Sequence, residues 1–134
     1  MRLTPVSERP DAVGVLWDLL AERKPCQSIS HRRMPTPEEH AAFVASGPYQ
    51  AWYLIDDGHD TVGAVYLTRA DEIGVSIFER FQGRGFGSSA VLMLMGMHGK
   101  RRYLANVNPE NEKSAAMWRK LGLTHVQDTY ALED

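Results

Sequence analysis

The segment best suited to chemistry is Gln82-Gly83-Arg84-Gly85-Phe86-Gly87-Ser88-Ser89. Its glycines alternate, and it stands between an apolar strand pattern and an apolar helical one. Glycine takes positive φ without strain and lets a ligand come close to the backbone. The first amides of a helix have no intrahelical partner and carry the positive end of its dipole, so they attract anions. Arg84 adds a positive charge on a flexible stem. The chemistry suits a diphosphate. No lysine follows the last glycine, so the segment is not a P-loop. Its third glycine also misses the G-x-G-x-x-G dinucleotide spacing. Gln82, Gly85 and Gly87 fit a third pattern, Q/R-x-x-G-x-G/A. The competing interpretation is a glycine turn that only ends a strand.

The surrounding elements must hold that segment in place. A short strand is predicted over 2–6. Val13, Leu16, Trp17 and Leu20 recur at helical spacing after Pro10. A loop over 28–37 leads to Thr36, Pro37 and Glu39, which together spell a helix start with a capping box. That helix runs to Gly47-Pro48. Strands follow over 51–55, 61–68 and 72–78, with Asp56-Asp57-Gly58 as a turn, and they read as an antiparallel meander. A helix then extends to about His98, and a strand is expected over 103–107. Asn108-Pro109 would cap a helix that Gly122 stops, and a final strand would fill 124–132. The fold class is α+β: a mixed, mostly antiparallel sheet with about four helices on its faces. The strand–helix–strand unit over 72–107 should place two parallel strands side by side.

The last predicted helix carries a second pattern. Asn111, Ser114, Trp118 and Gly122 match Asn-x-x-Ser/Ala, an aromatic four residues on, and a glycine after the helix. Leu123 stands where phenylalanine is usual. In order and spacing the two motifs resemble those of the GNAT superfamily of acyl-CoA N-acyltransferases, from about Gln50 to the C-terminus. The resemblance implies a single acetyltransferase domain over 1–134 that uses acetyl-CoA and needs no metal. Backbone amides from Gly83 to Ser88, including those of Arg84, Gly85, Phe86 and Gly87, would hold the diphosphate beside Gln82. The strand over 72–78 would splay from the strand over 103–107 and admit the pantetheine arm. An amide of Val75 or Ile77 would polarise the thioester carbonyl. Asn111, with Ser114 and Trp118 near it, would contact the cofactor, unless Asn111 only caps its helix. Lys113 and Arg119 are further phosphate candidates.

Several family members carry a catalytic glutamate where this chain has Glu72, which would serve as general base for the attacking amine. The alternative is a strand-end residue paired with Arg69. Glu79, His31 and His40 are lesser candidates. The family often has a tyrosine where Trp118 stands, and an indole N–H is no practical acid. Tyr130 or Tyr103 would then protonate the leaving thiolate. The acceptor pocket falls to the loop over 28–37, where His31, Arg32 and Arg33 would meet a carboxylate or phosphate of the substrate. Glu39 and His40 followed by Phe43 give a faint likeness to the branch that acetylates nucleotide-linked amino sugars.

Bulk properties agree with this reading. The chain has 134 residues, 43% hydrophobic and 24% charged, with a formal charge of -2. That suits one core and gives no bulk electrostatic grip on nucleic acid. Its single cysteine, Cys26, makes neither a disulfide nor a cysteine zinc site. The start of the chain lacks a long apolar run, and 90–97 is too short to span a bilayer. A cytoplasmic location without membrane or nucleic-acid partners is expected. The expected partners are acetyl-CoA and a small-molecule or peptide amine, with a homodimer through Trp52, Tyr53 and strand edges also open. A non-catalytic acyl-CoA binder and a protein-interaction module are the rival functions.

Overall fold

A computed structural model describes residues 1–23 and 34–132. Strands β1 (Arg2–Pro5), β2 (Ala51–Asp56), β3 (Thr61–Leu67) and β4 (Ile73–Ile77) form one antiparallel sheet in the order β1-β2-β3-β4. Helices α1 (Ala12–Ala21), α2 (Pro37–Ala45), α3 (Phe86–His98) and α4 (Glu112–Lys120) surround it. Successive strand residues point to opposite faces, and in β2 both Leu54 and Ile55 are fully buried. Leu54 packs with Leu16 and Leu19 of α1, while Ile55 packs with Val91 and Leu94 of α3. The sheet is therefore covered on both faces.

Local chemistry explains the joints. Thr36 accepts from the Glu39 amide and Glu39 accepts from the Thr36 amide, so the capping box forms as read. The β2–β3 turn closes with Asp57 accepting from the amides of His59 and Asp60. Beside that turn, Asp56 receives hydrogen bonds from Thr4, Arg9 and Thr61. Burial opposes its ionisation, but the bonds from Thr61, Thr4 and Arg9 outweigh it and hold the carboxyl below its ordinary pKa. A carboxylate with a depressed folded pKa stabilises fully above its unfolded value, about 3.9, and loses that contribution as pH falls through the folded one. The melting temperature should thus drop less between pH 6 and strongly acid conditions in Asp56→Asn than in the parent. Equal drops in the two proteins would refute this.

Three sequence expectations need correction. The stretch 103–107 forms no ladder; it makes one parallel bridge, Leu104 with Glu72 just ahead of β4. The final strand over 124–132 does not form, because among the described residues that stretch pairs with no strand edge, and its side chains are exposed. Helix α4 is capped by Asn111, not by Asn108-Pro109; the Asn108 side chain instead accepts from the Glu110 amide in the turn before it. Trp52 and Tyr53 also lie on β2, an interior strand. Trp52 meets Tyr49 and Phe43, and Tyr53 hydrogen-bonds His98, so neither forms a pairing edge.

Candidate active site

The parallel contact begins and ends within a few residues. Leu104 donates its amide to Asp71 and accepts from the Ile73 amide. Beyond that point the two segments share no backbone bond. On its other side β4 pairs with β3, with Val75 opposite Val65 and Ile77 opposite Gly63. The Phe78 amide bonds Val62 and the Ile73 amide bonds Leu104. Antiparallel alternation therefore turns the Val75 and Ile77 backbones toward the open side, as Ile73 is turned. Gln82 donates its side-chain amide to the Ile77 carbonyl and fixes the strand's end.

This divergence opens a groove of about 660 Å³. One wall is β4 and the other comprises Asn106, Val107 and the start of α4. At its mouth Gly83 and Gly85 take φ of +80° and +82°, and Gly85 is the N-cap of α3 with no side-chain cap. The first-turn amides of α3 thus remain available to an anion. Gly83, Gly85, Phe86, Gly87 and Ser88 all line the groove. Arg84 does not, since its guanidinium sits over the Phe81 ring, 5.7 Å from the centroid. Asn111, Ser114 and Trp118 line the opposite side. Asn111 accepts from the Ser114 amide at 3.2 Å, so its side-chain oxygen caps α4 and its NH₂ takes no part in that bond. Trp118 is also buried in the core, where it supports the wall.

Glu72 stands at the closed end, where it accepts from Thr68 and from Asn106. Arg69 is not its partner; that guanidinium binds the carbonyls of Gly47 and Pro48. Glu79 also lines the groove, and its amide is tied to the Glu22 carboxylate. Tyr130 is 92% exposed on the unpaired tail and does not reach the groove. The Tyr103 hydroxyl is engaged by the carbonyls of Met95 and Gly99 at the far end of α3. His40 is buried with its ring nitrogen at the Val13 carbonyl and serves the α1–α2 packing, while Glu39 closes the capping box at the start of α2. His31, Arg32, Arg33 and Cys26 lie outside the described residues.

Sequence reading missed Thr68, Asn106 and Tyr66. The one signal for Asn106 is a polar residue set into the apolar run Tyr103-Leu104-Ala105-Asn106-Val107. Tyr66 pairs across the sheet with Gly74, and its ring covers that glycine: a Cβ on Gly74 would stand 2.0 Å from the ring. Tyr49 stacks on the same ring at 4.1 Å, and burial pushes the Tyr66 phenol above its ordinary pKa, keeping it neutral. Gly74→Ala should therefore cost roughly 1–3 kcal/mol by overpacking. Denaturant unfolding measures it, and an unchanged midpoint would show that the ring can swing aside.

A strand that parts from its neighbour beside an uncapped helix start leaves a groove with anion-attracting amides at its mouth. The sequence matches the Acetyltransferase (GNAT) domain over residues 1–124, and the chain belongs to that acyltransferase family. An acetyltransferase from Thermus thermophilus has the same fold at 25% identity and a TM-score of 0.73, covering 95% of this chain and 88% of that one. A chimera of Vibrio cholerae spermidine N-acetyltransferase SpeG with hSSAT aligns at 13% identity and a TM-score of 0.74, over 95% and 84%. The Salmonella typhimurium yncA structure, which holds its cofactor acetyl-CoA, aligns at 15% identity and a TM-score of 0.65, over 90% and 76%. No curated protein sequence matches the chain. Among the described residues no helix is long and apolar enough to cross a membrane.

Proposed function

We propose that this chain moves an acetyl group from acetyl-CoA to a primary amine by direct attack within a ternary complex. One observation carries the reading: the free first-turn amides of α3 open onto a groove that ends at a carboxylate. The residues present suit the cofactor. Donors at Gly85, Phe86 and Gly87 meet a diphosphate, the outward backbone of Val75 and Ile77 offers strand-like pairing to an amide-bearing arm, and the Asn111 NH₂ adds a donor. Acetyl-CoA supplies an activated acyl group as a thioester. The amine nitrogen bonds the acetyl carbon, the carbon–sulfur bond then breaks so that coenzyme A leaves as its thiolate, and Glu72 takes the proton that nitrogen sheds. An amide turned toward the groove from Val75 or Ile77 stabilises the negative charge that develops on the acyl oxygen.

The test is incubation with acetyl-CoA and a panel of primary amines, with free thiol and acetylated amine both measured. Turnover with at least one amine is the expected result. A rise in melting temperature with acetyl-CoA but no turnover would mark a binding domain instead. Neither response would leave the glycine segment a purely structural turn.

A further inference from the structure

We propose that Thr68 and Asn106 are positioning residues that fix the Glu72 carboxylate from two sides. The inference rests on the base role given to Glu72 above. The Thr68 hydroxyl has one proton and two lone pairs. It accepts from the amides of Ala70 and Glu72 at 3.2 and 3.0 Å. Its proton is thereby directed to the remaining neighbour, Glu72 Oε1, at 3.2 Å. The tight β3–β4 connection makes this arrangement: the Thr68 amide bonds the Glu72 carbonyl, and Asp71 turns at φ +63°.

Asn106 approaches from the other wall and donates to Glu72 Oε2. Leu104 is paired with β4, and in a continued parallel ladder Asn106 would be the next residue of the same parity to face it. The backbones have parted there, and a side chain bridges the gap. Each carboxylate oxygen spends one lone pair on its neighbour and keeps another, so the group is oriented yet still able to take a proton. Asn106 is exposed, so truncating it removes the bond without emptying the core.

The experiment combines kinetics with a spectroscopic readout. Kinetics use the amine that turns over fastest in the panel. Asn106→Ala should lower kcat about 10- to 100-fold, the usual weight of one bond to a charged group. The KM for acetyl-CoA and the melting temperature should hold. In a Glu72→Gln background the same substitution should cost nothing more, because a residue acting through Glu72 has nothing left to position. Thr68→Val should also lower kcat, and Thr68→Ser should restore it. In the free protein, the Asn106 side-chain NH₂ signals in a ¹⁵N correlation spectrum should move on Glu72→Gln and stay put on Glu79→Gln. The proposal is overturned if Asn106→Ala has parental kcat, if its loss persists in full beside Glu72→Gln, or if those signals ignore Glu72. Parental kcat in Glu72→Gln alone would instead sink the base role itself.

Discussion

Gly85→Asp is expected to weaken acetyl-CoA binding by roughly 3 kcal/mol, a factor of about 150, by placing a carboxylate beside the bound diphosphate. Gly85 caps α3 at φ +82°, with open space where a Cβ would stand, so the substitution meets strain but no clash. Aspartate is among the residues that tolerate this left-handed region best. A carboxylate there would also accept from the free α3 amides and occupy the donors meant for the ligand. The fold should survive, with a melting temperature within a few degrees of the parent. Gly85→Asn supplies the control, since it has the same shape without the charge, and its loss of affinity should be much smaller. Calorimetric titration with acetyl-CoA measures both. Parental affinity in the aspartate variant would remove the α3 terminus from the binding site. Equal losses in the two variants would trace the effect to shape instead of charge.

Glu72→Gln is expected to lower kcat by about 10²–10⁴, the range that a positioned general base supplies. Acetyl-CoA affinity should change little, because the uncapped α3 start proposed to hold the diphosphate follows β4 while Glu72 precedes it. The substitution also suits the local network. Thr68 must donate, and the new side chain can present its carbonyl to it. Asn106 can flip its amide and accept from the new NH₂. The deficit should narrow toward alkaline pH, where free alkyl amines, with pKa near 10, lose their proton to solvent unaided. A constant deficit across the pH range would argue that Glu72 orients the acceptor without taking its proton.

Much of this was legible in the order of residues. Alternating glycines ahead of an apolar helix specify a helix start with no side-chain cap, because positive φ and uncapped amides are local properties. The same holds for the Thr36–Glu39 capping box and the Asp57-Gly58 turn, which formed as read. Asn111 and Ser114 sit three residues apart, so their contact needs nothing beyond one helical turn.

Long-range contacts obey other rules. The bond from Asn106 to Glu72 spans 34 positions, and no periodicity announces it. Tyr66 covers Gly74 only because the β3–β4 register sets them opposite. The stretch 124–132 has strand-like composition yet pairs with nothing among the described residues, since a strand also needs an edge placed to receive it. The sequence by itself thus determined the glycine-rich turn ahead of α3, the α2 capping box and the family. Only the tertiary structure decided where β4 parts from its neighbour and which side chains hold the carboxylate at that fork, because both depend on backbone register, which is settled when distant segments meet.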